Sequence, residues 1–206
     1  MKKDKSKTSS GISRRGFLRG AGLTTAGTVL LNQNVLGLDP GDIEKKGEMN
    51  SAEGQKVTLS INGDKYSLLV EPRTTLSAAL RDTLGMTGTK VVCDRGSCSA
   101  CTVFLDGKPI NSCMVLAIDV KGKEITTIEG ISKGDELHPV QEEFINHDAS
   151  QCGYCTPGMI MSSVHLLKNN PNPSLTDVKQ AVRGNLCRCG TYPHVFKAVL
   201  EASKKI

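Results

Sequence analysis

The chain has 206 residues, 38% of them apolar, with no Trp and 3% aromatic side chains, so it can form one medium domain or two small ones whose cores rest on Leu, Val, Ile, Ala and Met. Small cores of that kind are short of packing energy and call for a staple. The formal charge of +5 sits in residues 1–37, where Lys2, Lys3, Lys5, Lys7, Arg14, Arg15 and Arg19 face only Asp4, a net +6 that leaves −1 on the rest; with no Lys/Arg stripe interleaved with aromatics, this distribution argues against a nucleic-acid partner.

Residues 1–12 are polar and cationic, SRRGFLRG follows from Ser13 to Gly20, and then comes the apolar stretch AGLTTAGTVLL. That stretch is too short and too rich in Gly and Thr for a stable membrane span, which needs about 20 mostly apolar residues. The order of segments is that of an export signal over residues 1–37. Arg14 and Arg15 with Phe17 and Leu18 resemble the twin-arginine signal, which delivers proteins already folded. The expected location is periplasmic or otherwise exported, with Val35-Leu36-Gly37 the best small-residue site for cleavage. Exported cysteines ordinarily suggest disulfides. Export in the folded state changes that, because a cofactor inserted in a reducing cytosol can occupy the thiols first.

A polar linker over 38–54 leads to strand patterns. Val57 to Ile61, the turn pair Asn62-Gly63 and Tyr66 to Val70 read as a hairpin. Thr74 or Thr75 can cap a helix carrying Leu76, Ala79, Leu80 and Leu84, ending at Gly85. Thr102 to Leu105 and Ile110 to Val115 flank the turn pair Asp106-Gly107, and Glu124 to Ile128 offers one more strand. Residues 55–131 are therefore expected to form a small mixed sheet with one packed helix. From Pro139 the apolar period changes from two to about 3.6, and helices are expected near 139–147, 157–169, 175–183 and 193–203. Pro157 and Pro193 fit first-turn positions, Ser174 with Asp177 fits a capping box, and Pro171 and Pro173 separate the middle pair. Residues 137–206 read as a second, all-helical domain.

The eight cysteines fall as Cys93-x4-Cys98-x2-Cys101-x11-Cys113 and Cys152-x2-Cys155-x31-Cys187-x-Cys189. The first spacing is that of plant-type [2Fe–2S] ferredoxins. Gly96, Ser97, Ser99 and Ala100 suit a backbone that approaches a cluster closely and aims N–H groups at its sulfurs. Zinc usually takes paired C-x2–4-C clips, and a disulfide framework prescribes no such spacing. The second set places one cysteine pair before each of two helix starts, where backbone N–H groups and the helix dipole favour thiolate. By spacing alone zinc remains a competitor there. A dithiol switch at Cys152-Gly153-Tyr154-Cys155 lacks the βαβ context that such chemistry expects. His138, His147, His165 and His194 are scattered and read as solvent-facing or core-satisfied.

Taken together, TGTKVVCDRGSCSACTV, QCGYCTPGMIM and GNLCRCGTY resemble the iron–sulfur subunit of the xanthine oxidase family of molybdenum hydroxylases, over about residues 55–203. The order CRCGTY, the CDRG of the first loop and the leader are similar to the periplasmic aldehyde oxidoreductases of that family. The resemblance implies an α+β chain: a plant-type ferredoxin (β-grasp) domain followed by an all-α four-helix-bundle [2Fe–2S] domain. It further implies that Cys93, Cys98, Cys101 and Cys113 ligate one [2Fe–2S] cluster and Cys152, Cys155, Cys187 and Cys189 the other. Gln151 matches the glutamine that touches the pterin of the molybdenum cofactor. The implied role is an electron relay from a molybdenum-cofactor large subunit, which oxidises an aldehyde or an aromatic heterocycle, to an FAD subunit or an external acceptor. No catalytic acid, base or nucleophile is then needed on this chain. Ser99 stands where the family loop usually has Gly. The alternative is a zinc- or disulfide-stapled exported interaction module without redox activity.

Overall fold

Alternating apolar residues at Val57, Leu59 and Ile61 turn one face of strand β1 (Gln55–Ile61) into the core, as a period of two requires. This is a computed structural model, and it describes residues 54–206; the export leader expected over 1–37 and nearly all of the linker lie outside the described residues. β2 (Asp64–Val70) returns antiparallel to β1. Asn62 (φ 54°) and Gly63 (φ 90°) supply the two left-handed residues of the tight hairpin turn.

The helix expected after Thr75 is short and changes pitch. Thr75 Oγ1 accepts from Ala78 N at 3.2 Å to open α1 (Leu76–Ala78), and the chain then widens into a π-helical turn over Ala79–Thr83. Leu76, Ala79 and Leu80 are fully buried, while Leu84 is half-buried and the chain leaves through Gly85 at φ 70°. β3 (Thr102–Leu105) and β4 (Lys108–Asn111) form the second hairpin, turned at Asp106 and Gly107. The strand expected over 110–115 stops at Asn111, because Ser112–Met114 tightens into a 3₁₀ turn with Cys113 buried in it. β5 (Glu124–Thr126) likewise ends before the expected 128. The sheet order is β2-β1-β5-β3-β4, with β5 parallel to β1 and antiparallel to β3.

Four helices complete the chain: α2 (Pro139–Asn146), α3 (Thr156–Asn169), α4 (Leu175–Ala181) and α5 (Tyr192–Ala202). The Ser174–Asp177 capping box is formed, with Asp177 N donating to Ser174 Oγ at 3.2 Å and Ser174 N to Asp177 Oδ2 at 2.8 Å. Among the described residues no helix is long and apolar enough to cross a membrane.

Two apolar clusters form the core. One joins the sheet to α1, through Leu59, Ile61, Leu76, Leu80, Val103 and Ile125. The other lies among the helices, around Val140, Phe144, Met159, Met161, Leu167, Val195 and Val199. Phe104, on β3, packs into the helical cluster instead of the sheet's own, and its ring lies 6.0 Å from that of His165 on α3. The sheet and the helices therefore share packing, and the described residues all belong to one compact unit. The C-terminal turn is tied down at buried Glu143, whose carboxylate meets Lys205 Nζ at 2.7 Å, Asn146 Nδ2 at 3.0 Å and His147 Nε2 at 3.1 Å. Lys205, first, and Asn146 hold that carboxyl below the usual range.

The histidines have structural employment. His194 Nδ1 lies 2.9 Å from the His147 carbonyl. His138 caps α2: its Nδ1 accepts from Val140 N at 3.2 Å while Gln141 Oε1 accepts from His138 N at 2.9 Å. Only a neutral imidazole can accept that bond, and burial pushes the His138 pKa below its ordinary 6.5. The contribution is fully present above about pH 6.5 and is lost as pH falls through the lowered folded value. In denaturant melts at about pH 7.5, His138→Ala loses about 1 kcal/mol, the usual worth of an N-cap, and the deficit shrinks as the pH is lowered.

Candidate metal centres

The first cysteine loop runs from the end of α1 to β3 and is bent by left-handed residues: Asp94 (φ 50°), Gly96 (φ 70°) and Ser99 (φ 51°). Those bends turn backbone N–H groups toward sulfur. Gly96 N donates to Cys113 Sγ and Ser97 N to Cys93 Sγ, each at 3.3 Å. The Cys93 thiol is lowered to about 7, first by backbone hydrogen bonding at Arg95, whereas burial pushes Cys113 up to about 11. Cys98, Cys101 and Cys113 are buried and Cys93 is half-buried.

The second set is assembled from two helix approaches. Cys155 is the N-cap residue of α3, and Cys187 and Cys189 precede α5. Tyr192, in the first turn of α5, accepts from Cys187 N at 2.8 Å and donates to the Asn185 carbonyl at 3.0 Å through one hydroxyl. Thr191 Oγ1 lies 3.2 Å from Cys187 Sγ. Burial pushes Cys155 up to about 12. At Cys187 burial also raises the pKa, but hydrogen bonding at Thr191 outweighs it and the thiol settles near 7. Cys152 and Cys189 are exposed, as are Gln151, Tyr154, Leu186 and Arg188 around them.

Within each set the thiols lie near enough to perturb one another's ionisation. Cys93 lies against Cys98, Cys101 against Cys113, Cys155 against Cys187 and Cys152 against Cys189. Among the described residues no three metal-binding side chains gather around one ion position. A tetrahedral zinc would draw four sulfurs to a single centre at about 2.3 Å each, while a two-iron cluster held by four thiolates takes them as two pairs. The N–H donors of Gly96 and Ser97 aimed at sulfur suit the anionic sulfurs of such a cluster. In the helical half one pair is inner (Cys155, Cys187) and the other faces outward (Cys152, Cys189).

The two cysteine loops touch. Leu186 N donates to the Cys98 carbonyl at 3.1 Å, and Asn185 Nδ2 donates to the Ser99 carbonyl at 3.1 Å. Gly158, in the first turn of α3, lies so close that an added Cβ would stand 2.1 Å from the Ser99 oxygen. Sequence reasoning passed over Asn185, Tyr192 and Gly158. A glycine in a first helical turn is a signal of close packing, but nothing in the spacing says against what. The hydroxyl that distinguishes Ser99 faces Gly184, where a Cβ would sit 3.3 Å from Ser99 Oγ.

Comparison with known proteins matches the two halves separately. Residues 59–126 match the 2Fe-2S iron-sulfur cluster binding domain and residues 127–200 the [2Fe-2S] binding domain. The chain is 37% identical over 210 aligned positions to the aldehyde oxidoreductase iron-sulfur-binding subunit of Escherichia coli O157:H7, covering 95% of this chain and 90% of that protein. Quinoline 2-oxidoreductase from Pseudomonas putida 86 contains a chain that superposes with a TM-score of 0.71 at 40% identity, covering 74% of this chain and 95% of that one. Aldehyde oxidoreductase from Desulfovibrio gigas superposes with a TM-score of 0.68 at 40% identity; the match covers 72% of this chain but 17% of that longer one.

Two substitutions test the seam. Gly158→Ala forces backbone apart and lowers stability by about 1–3 kcal/mol, the usual cost of overpacking. Ser99→Gly relieves the left-handed strain at φ 51° and raises stability by up to about 1 kcal/mol. Both are read as shifts in the thermal unfolding midpoint.

Proposed function

Because the chain belongs to the iron–sulfur subunits of the xanthine oxidase family of oxidoreductases and carries two [2Fe–2S] domains, we propose that it relays electrons out of a molybdenum-cofactor large subunit toward an FAD subunit or an external acceptor. The observation that carries this reading is that the eight cysteines fall as two sets of four, one in each matched [2Fe-2S] domain, with Cys152 and Cys189 of the second set exposed. Each bound cluster supplies a one-electron couple. The residues do the rest.

Cys93, Cys98, Cys101 and Cys113 hold the cluster of a β-grasp ferredoxin half, and Cys152, Cys155, Cys187 and Cys189 hold that of a four-helix-bundle half. The outward pair, Cys152 and Cys189, with exposed Gln151 beside it, meets the molybdenum subunit, where Gln151 contacts the pterin. The inner pair leads to the ferredoxin half through the Leu186 N–H bonded to the Cys98 carbonyl. Gly96 and Ser97 donate to thiolate sulfur and so favour the more negative, reduced state. The oxidation itself, of an aldehyde or an aromatic heterocycle, belongs to the large subunit. Names of the relatives support that substrate class, being an aldehyde and a quinoline oxidoreductase.

The loaded protein is expected to be red-brown with about four irons per chain and two distinct electron paramagnetic resonance signals on reduction. Cys152→Ser removes one signal and keeps the other. A colourless protein containing zinc, or four disulfides in non-reducing peptide maps, would establish the stapled module and end this reading. Arg14 and Arg15 support export through the twin-arginine route. Replacing both with Lys is expected to retain the folded protein in the cytoplasm, as fractionation would reveal.

A further inference from the structure

Asn185 is 2% exposed, a depth at which an amide must have both its ends bonded. Its Oδ1 accepts from Ser162 Oγ on α3 at 2.9 Å, and its Nδ2 donates to the Ser99 carbonyl at 3.1 Å. Ser99 lies between Cys98 and Cys101, and Asn185 lies two residues before Cys187. One side chain therefore joins the two cysteine loops, and it does so at a crowded place. The Ser99 oxygen also receives Thr102 Oγ1 at 2.7 Å, and Gly158 is pressed against it without room for a Cβ. The Asn185 backbone is equally held: its N–H donates to the Val182 carbonyl at 2.9 Å and its carbonyl accepts from Tyr192.

We propose that Asn185 is a positioning residue for both clusters, a helical-half side chain that sets the backbone path of the ferredoxin-half loop between Cys98 and Cys101. Ser99 adopts a left-handed conformation that a residue with a Cβ resists, so the loop needs an external hold. The Asn185 amide is that hold, together with the neighbouring Leu186–Cys98 backbone bond. The ferredoxin-half cluster then depends on the helical half for its geometry, although all four of its thiols lie in its own half. This inference rests on the proposed electron-relay reading, since it concerns the same two cluster sites.

Asn185→Asp is the informative variant. It keeps the shape and the acceptor for Ser162, but replaces the donor facing the Ser99 carbonyl with an oxygen that repels it. In the full-length, cluster-loaded protein, the signal of the ferredoxin-half cluster is expected to shift in g-values or line width. Its loss under a chelator is expected to accelerate about five- to tenfold, the factor corresponding to one net hydrogen bond. Ser162→Ala, which frees the far end of the amide, gives a smaller acceleration of the same signal, and it serves where the Asp variant fails to load. An effect of Asn185→Asp and Ser162→Ala confined to the helical-half signal would overturn the coupling alone. A wild-type protein without two distinct cluster signals would overturn the relay reading itself.

Discussion

The seam at the Ser99 carbonyl is the constraint from which the rest of the structure follows. At that oxygen a bent cysteine loop, the first turn of α3 and the amide of Asn185 meet within hydrogen-bond or contact distance. Such an approach requires that α3 carry a residue lacking Cβ, Gly158, in its first turn, that Ser99 accept positive φ, and that the chain before Cys187 run beside the chain after Cys98. The Leu186–Cys98 backbone bond at 3.1 Å is the direct result. This contact joins the two cysteine loops directly, beside the packing of Phe104 into the helical cluster.

Electrostatics divides the thiols as burial divides them. Cys113 and Cys155 are pushed upward by desolvation, while Cys93 and Cys187 are held near 7 by hydrogen bonds that outweigh it. Each set thus contains a thiol whose ionisation is favoured by hydrogen bonds and one whose ionisation is opposed by burial. The exposure pattern runs in parallel, with the outward pair in the helical half placed where a partner protein can reach it.

Much of this was legible in the residues. Hairpin turns were announced by Asn62-Gly63 and Asp106-Gly107, because only left-handed residues serve a two-residue turn. The four C-terminal helices followed from apolar period, Pro placement and the Ser174–Asp177 box. Cysteine spacing singles out the ferredoxin-type loop but leaves the helical set open to zinc, and it is the match of residues 127–200 to a [2Fe-2S] binding domain that decides between them. Other features were hidden because they depend on contacts distant in sequence. The strand after Pro109 ends early since Cys113 must turn inward. The π-helical turn after α1 has no pattern that distinguishes it from an ordinary helix. Nothing in the sequence around Asn185 marks it out, because its role depends on a carbonyl 86 positions away.

Phe104 carries a consequence for how such chains can be rearranged. Its ring sits on a strand of the sheet yet is solvated by nothing but the helical core. A gene fragment ending near residue 126 would leave that ring in water and open a hole among the helices, so the two halves resist being shuffled apart. They are better regarded as one heritable cassette, which is how they recur both as a free-standing chain and within the longer polypeptide of Desulfovibrio gigas.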